Sequence, residues 1–182
     1  MATLKEEIME WGGGVFGEEH MESLLSCVQC GKCTGGCPSG RITALRTRKL
    51  FRMAQEDMRD ELFNAPELWF CTTCYTCYER CPKGVKCTDI IRTIRNLAAK
   101  AGHMSVPHRM IGVYALKTGH GVPIGPDQMK IRESLGLDSQ PPTTQKHKEQ
   151  LEQIQIICKE TKFDELIDFD WDKMALKEEE KK

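Results

Sequence analysis

Cys27-Val28-Gln29-Cys30-Gly31-Lys32-Cys33-Thr34-Gly35-Gly36-Cys37-Pro38 is matched further along the chain by Cys71-Thr72-Thr73-Cys74-Tyr75-Thr76-Cys77-Tyr78-Glu79-Arg80-Cys81-Pro82, with every cysteine displaced by 44 residues. Eight of the ten cysteines fall in these two runs, so the rest of the chain is read around them. Thiolates two or three residues apart cannot all pair as disulfides without severe strain. They can converge on iron: three thiolates at this spacing curl one loop over three corners of a cubane, and the fourth lies too far along to close the same cluster. The spacing, ending in Cys-Pro, is that of bacterial 4Fe-4S sites, in which the fourth cysteine of each run ligates the other cluster. One 4Fe-4S cluster is therefore expected on Cys27, Cys30, Cys33 and Cys81, and a second on Cys71, Cys74, Cys77 and Cys37. Pro38 and Pro82, lacking an amide hydrogen, turn the chain away after each crossing ligand. Zinc is the rival occupant, but its cysteine pairs are usually separated by a longer insert, and neither run offers two isolated CxxC hooks.

Composition narrows the classes. Hydrophobic residues make up 40% of the 182 residues, so the apolar core is expected to be thin, with the clusters supplying cross-links. A formal charge of −1 argues against binding nucleic acid through global charge. Residues 1–11 carry Glu6, Glu7 and Glu10 where a secretory signal would be basic and then apolar. The longest apolar run, Met110 to Leu116, is far short of a membrane span and contains Gly112. Ten cysteines in such a chain fit metal binding in a reducing, cytoplasmic setting better than a disulfide scaffold.

Helical periodicity dominates elsewhere. Leu4, Ile8 and Trp11 predict a short amphipathic helix, broken by a flexible turn at Gly12-Gly13-Gly14. Residues 41–59 contain no glycine or proline and predict a helix, with Ile42, Leu50, Met53, Ala54 and Met58 on one side and Arg41, Arg48, Arg52 and Arg59 on the other. That basic stripe reads as a solvated face, or as charge that docks an acidic partner or raises a cluster's potential. Trp69 and Phe70, just before Cys71, are expected to shield the second cluster. Thr88 reads as the N-cap of a helix whose apolar face is Ile90, Ile91, Ile94, Leu97, Ala98 and Ala101, ending at Gly102. Residues 103–125 show no sustained period. His103, His108 and His120 there match no ligand spacing and read as surface or partner-contact residues. A short helix from Pro126 to Gly136 and another near 145–160 follow, the latter turning Leu151, Ile154, Ile157 and Cys158 to one side. Aromatics and acids alternate in the tail (Phe163, Asp164, Asp168, Phe169, Asp170, Trp171, Asp172), as an arm lying across a partner or loosely attached. Cys87 and Cys158 read as small buried hydrophobes. The expected fold is all-α: residues 1–19 form an N-terminal helix and glycine-rich turn, 20–102 a two-cluster α-helical ferredoxin-like domain, and 103–182 a C-terminal extension for partner docking.

The doubled runs, each leading into a helix, resemble the α-helical ferredoxin domain of iron–sulfur subunits in succinate and glycerol-3-phosphate dehydrogenases. More specifically, Thr118-Gly119-His120-Gly121-Val122-Pro123-Ile124, then Arg132-Glu133-x-Leu135-Gly136-Leu137 and Pro141-Pro142-Thr143, resemble the C subunit of heterodisulfide reductase from methanogenic archaea. The likeness spans most of residues 20–145. It implies an electron-transfer subunit in methanogenesis, carrying electrons from a flavin-containing A subunit to a catalytic B subunit that reduces the coenzyme M–coenzyme B disulfide, with a hydrogenase or formate dehydrogenase in the larger complex. The residues themselves support a relay: no nucleotide fingerprint and no nucleophile–base set is visible, so no catalytic site is expected in this chain alone. Two other readings stand beside it. One is a relay in a glycolate, lactate or glycerol-3-phosphate dehydrogenase, and the other is a protein whose metals only hold the fold.

Overall fold

A computed structural model of the chain describes residues 2–144 and 147–177. It is helical apart from one two-stranded sheet, and it divides into two compact units between His103 and Met104. Among the described residues, no helix is long and apolar enough to cross a membrane.

The first unit holds both cysteine runs. It opens with α1 (Leu4–Phe16), whose N-terminus is closed by a capping box: Thr3 Oγ1 accepts from Glu6 N–H, and the Glu6 carboxylate accepts from Thr3 N–H at 2.7 Å. Hydrogen bonding from the Thr3 backbone N–H, and then from its side chain, holds the Glu6 carboxyl below its usual range. The helix runs through Gly12-Gly13-Gly14 instead of breaking there, and the reason is tertiary. A Cβ on Gly12 would lie 2.4 Å from Met21 Sδ and 2.7 Å from Thr93 Oγ1, so the bare backbone lets α1 settle onto its neighbours. Leu4 and Ile8, one turn apart, are fully buried in the same core.

Next come α2 (Glu18–Glu22), α3 (Lys32–Gly35), α4 (Thr47–Gln55), α5 (Arg59–Phe63), α6 (Thr76–Glu79) and α7 (Cys87–Lys100). The expected 41–59 helix is thus confined to Thr47–Gln55. Upstream, the Ser39 and Thr43 side chains bond to each other and to backbone, and Arg46 Nη1 donates to the carbonyls of Gly40, Thr43 and Leu45. These local bonds replace helical ones, the usual competition from short polar side chains. Ile42 consequently points outward, 88% exposed, while Leu50, Met53 and Ala54 are buried with Phe51. The arginines do not form one stripe: Arg52 pairs with Glu56 at 2.9 Å, Arg59 pairs with Glu7, and Arg48 turns toward the first cysteine loop.

In α7, Ile90, Ile91, Ile94 and Ala98 are fully buried, whereas Ala101 is exposed. Burying each isoleucine stabilises by about 1.5–3 kcal/mol, which makes this helix the spine of the core. Thr88 does not cap it. The cap position falls two residues earlier, at Lys86, and Thr88 is buried inside the helix. Gly102, with φ of 84°, ends it in the left-handed conformation.

The second unit contains α8 (Val106–Thr118), α9 (Pro126–Ser134), α10 (Lys148–Glu160), α11 (Phe163–Leu166) and the antiparallel pair β1 (Phe169–Asp170) and β2 (Ala175–Leu176), in which Phe169 faces Leu176. Thirteen residues expected to be irregular form α8. Pro107 sits in its first turn, where the missing N–H costs nothing, and Gly112 is where Phe163 and Ile167 approach too closely for a side chain. The acidic-aromatic tail packs within the second unit through Leu176. Ile167 and Phe169 are buried beside Val113 and Leu116, Arg109 Nη1 donates to Asp168 at 2.8 Å, and Trp171 Nε1 donates to Asp164 at 2.6 Å. On α10, Leu151, Ile154 and Cys158 are half-buried while Ile157 is exposed.

Candidate metal centre

The 44-residue repeat extends from cysteine spacing into backbone conformation. A 3-10 turn precedes each run (Ser23–Ser26 and Pro66–Phe70), and the equivalent Leu24 and Leu68 are both fully buried. Within the loops the left-handed residues coincide: Gln29 and Gly31 in the first (φ 57° and 81°), Thr73 and Tyr75 in the second (φ 53° and 62°). One-turn helices follow at the same offset, closed by Gly35 N–H to Gly31 O at 2.9 Å and Glu79 N–H to Tyr75 O at 3.1 Å. The sulfurs of each loop are thereby turned to one side.

Two cavities result, with empty volumes of about 340 Å³ and 290 Å³. Cys27, Cys30, Cys33 and Cys81 line the first, together with Cys87. Cys71, Cys74, Cys77 and Cys37 line the second. Each cavity thus brings together three cysteines of one run and the last cysteine of the other. The helices that follow the runs repeat this arrangement. Pro38, Leu45 and Thr47, at the start of α4, line the second cavity beside Cys37, and Pro82, Val85 and Cys87, at the start of α7, line the first beside Cys81. Helix N-termini favour negative charge, and a cluster with four thiolates is anionic.

Donors are aimed at the sulfurs. In the second set, Gly40 N–H lies 3.3 Å from Cys37 Sγ and the Thr88 hydroxyl 3.7 Å from Cys77 Sγ, while the Cys74 thiol donates to Thr76 Oγ1 at 3.4 Å. In the first, Val85 N–H lies 3.3 Å from Cys81 Sγ and the Gln29 amide 3.5 Å from Cys27 Sγ. The thiols feel these surroundings. Burial pushes Cys33 and Cys71 up, the Thr76 hydroxyl holds Cys74 down, and a hydrogen bond from Cys87 brings Cys77 down to about 6. The same contact pushes Cys87 upward.

Charge is distributed unevenly. Lys32, Arg48 and Lys83 line the first cavity. At the second loop, Arg95 donates to the carbonyls of Leu68 (2.9 Å) and Cys71 (2.7 Å). Tyr75 stands where the first loop has Gly31, in a conformation that costs a non-glycine residue about 1–3 kcal/mol. Its hydroxyl donates to the buried Asp89 carboxylate at 3.2 Å and accepts from Arg92 Nη1 at 3.2 Å, and Asp89 also meets His20 Nδ1 at 3.1 Å. These bonds pin the strained loop to α2 and α7.

The donor chemistry fits a cluster that carries its own sulfides. Among the described residues, no group of three His, Cys, Asp or Glu side chains is arranged for a single ion, whereas two sets of four sulfurs each surround a cavity. Trp69 and Phe70 are not among the residues lining the second cavity; Trp69 instead packs beneath Arg95, and Phe70 is 40% exposed. His103, His108 and His120 are each engaged locally, with Asn64, Ser105 and the Val122 backbone. Residues that spacing alone did not single out (Gln29, Thr47, Tyr75, Thr76, Arg95) complete the surroundings. Their signal in the sequence is position within or just after a run.

A helical frame carrying these paired cysteine cavities defines an iron–sulfur protein of the α-helical ferredoxin type. The family described as 4Fe-4S dicluster domain matches residues 23–85. The chain is 50% identical over 167 residues to the iron–sulfur C subunit of the CoB–CoM heterodisulfide reductase of Methanopyrus kandleri, covering 92% of this chain and 87% of that protein. It is 52% identical over 172 residues to the C2 subunit of the H2/formate:CoB–CoM heterodisulfide,ferredoxin reductase of Methanococcus maripaludis, covering 94% and 93%. It is also 48% identical over 143 residues to the C subunit of the ferredoxin:CoB–CoM heterodisulfide reductase of Methanosarcina mazei, covering 79% and 88%. The chain belongs to the family of heterodisulfide reductase C subunits. It is accordingly an iron–sulfur electron-transfer component of a multi-subunit oxidoreductase.

Proposed function

We propose that this chain holds two 4Fe-4S clusters, one on Cys27, Cys30, Cys33 and Cys81 and the other on Cys71, Cys74, Cys77 and Cys37, and relays electrons from a flavin-bearing A subunit to the B subunit that cleaves the coenzyme M–coenzyme B disulfide. The observation that carries this reading is the lining of the two cavities, each of which draws four sulfurs from both runs. Each cluster supplies one-electron exchange when bound. Cleaving the disulfide takes two electrons and two protons and yields two thiols, so the chemistry needs a substrate site as well as a wire. This chain's contribution is to hold the clusters at fixed positions, with Cys37 and Cys77 buried and Cys30 and Cys74 at the exposed edges, and to set their electrostatics. The remaining cysteines form no exchange pair at CxxC spacing: Cys87 is buried in the first unit's core, and Cys158 packs within the second unit. The different electron donors in the relatives' names suit a conserved relay with an interchangeable input, hydrogenase or formate dehydrogenase among them.

Reconstitution tests this. Anaerobically loaded chain is expected to take electrons from a low-potential dye and to leave the heterodisulfide intact. Reduction should appear on adding the B subunit, and should become independent of the dye once the A subunit with its donor is present. Substrate-dependent reoxidation by the isolated chain, above a cluster-free control, would place catalysis here and end the relay reading.

A further inference from the structure

The two cavities are built alike but charged differently. Among the described residues, three cations and no carboxylate line the first cavity, whereas no charged side chain lines the second. The repeat shows where the difference arises. Lys32 answers to Thr76 and Lys83 to Ser39, each 44 residues away, so both charges belong to the first site alone. Arg48 answers to Arg92, and here the surroundings differ. Arg92 faces the buried Asp89 carboxylate at 4.0 Å and donates to the Tyr75 hydroxyl, whereas Arg48 lies beside Gly31 and donates to the Gln29 carbonyl at 3.4 Å. A fourth cation joins them. Arg80 lies against Gly36, where a Cβ would come 3.2 Å from its Nη1, and lines an open groove that shares Lys32 with the cavity. All four side chains are exposed, and among the described residues none is in an ion pair. The same cavity wall carries the exposed Cys30 and Val28, an apolar side chain left 58% exposed.

Resting on the relay reading above, we propose that this face docks one redox partner, a protein whose surface around its own redox centre is acidic, with electrons crossing at the Cys30 edge. The Cys74 edge, with no charged lining, exchanges with a partner that is not selected by charge. An apolar spot beside a charged rim is the anatomy of a protein interface. Charges at such a rim act mainly on encounter: they steer an oppositely charged surface into register and raise the association rate. A face kept charged only for solubility would mix both signs, and this one carries a single sign on a chain whose net charge is −1. Nucleic acid is the other polyanion such a rim could meet. Four cations make few phosphate contacts, however, and no exposed aromatic lines the cavity or the groove for a base to stack on. In the exchange one electron passes between the first cluster and the partner's centre. One is oxidised as the other is reduced, and no bond forms or breaks.

The test uses the full chain, loaded with iron and sulfide under anaerobic conditions, with the isolated A and B subunits as the two probes. Association with each immobilised subunit is timed at about 0.01 M and about 0.15 M ionic strength, between which the screening length falls from about 30 Å to about 8 Å. One subunit should associate about tenfold more slowly at the higher salt, and Arg80→Glu should slow that same subunit about tenfold at the lower salt. Lys32→Gln combined with Lys83→Gln should slow it too, while the other subunit responds little to salt or to either variant. Lys100→Glu makes the same charge change about 20 Å along α7 from Cys87 and should alter neither rate. Electron exchange, followed in stopped flow, should slow in step with association. Arg80 lines the groove and not the cavity, so Arg80→Glu should keep about eight irons. Should it lose them, Arg80→Gln makes the comparison with half the charge change. Charge dependence for both subunits or for neither, or an Arg80→Glu rate equal to that of Lys100→Glu, would overturn the docking face. Tighter capture of a single-stranded oligonucleotide than of either subunit would also overturn it and assign the rim to nucleic acid. Electron flow to both subunits with charge-insensitive association would remove only the docking face, whereas charge-sensitive association with no electron flow to either would remove the relay.

Discussion

Replacing Cys37 by alanine should remove the cluster of the second run and spare that of the first, although Cys37 belongs in sequence to the first. Iron should fall from about eight to about four per chain, or to about seven if the damaged cluster survives with one iron missing. The reason is spatial. Cys37 lines the cavity of Cys71, Cys74 and Cys77, and the chain reaches that position because Pro38 and the turn at Ser39–Arg41 lead it away from its own loop. The mirror variant, Cys81→Ala, should damage the first cluster instead. Each crossing ligand also ties one half of the repeat to the other, so both variants should lower the anaerobic unfolding midpoint more than Cys158→Ala does, since metal binding energy is folding energy. Magnetic-resonance spectra that placed the Cys37→Ala damage on the Cys27, Cys30 and Cys33 cluster alone would refute the crossing.

The cysteine positions were legible because chemistry fixes their spacing: a cubane accepts three thiolates from a tight loop and few other patterns will serve. The buried stripe of α7 was legible for a similar reason, since Ile90, Ile91 and Ile94 recur at the helical period and nothing nearby competes. What sequence did not disclose depends on contacts between distant residues. Helix-forming composition across 41–59 gave no sign that Arg46 would be drawn onto three carbonyls and hold back the start of the helix. Pro107 and Gly112 look like loop residues until α8 is seen to begin at one and to let Phe163 approach at the other. The threonines near the sulfurs are common residues, and only the folded loops bring Thr47, Thr76 and Thr88 to the second cavity.

The glycine run gives the sharpest contrast between local preference and packing. By intrinsic propensity, changing a glycine in a helix to alanine stabilises by about 0.8–1.0 kcal/mol. Gly14 faces solvent with nothing within 4 Å of a Cβ, so Gly14→Ala should deliver most of that gain. Gly12 sits on the same helix under the opposite constraint. Its Cβ would fall 2.4 Å from Met21 Sδ, 2.8 Å from Met21 Cγ and 2.7 Å from Thr93 Oγ1, and both partners are fully buried. Met21 cannot swing clear into solvent, and Thr93 is branched and held within α7. Overpacking a core in this way typically costs about 1–3 kcal/mol, which exceeds the propensity gain. Gly12→Ala should therefore destabilise by about 1 kcal/mol net, and Gly12→Leu by several times more. The anaerobic thermal midpoint reads both, at about 2–4 °C per kcal/mol for a protein of this size. Opposite shifts from two glycines two residues apart would be the signature of a continuous helix packed through Gly12. If residues 12–14 formed a flexible turn, Gly12→Ala would be tolerated and Gly14→Ala would gain no helix propensity, so a pair of near-zero shifts would return the run to a break.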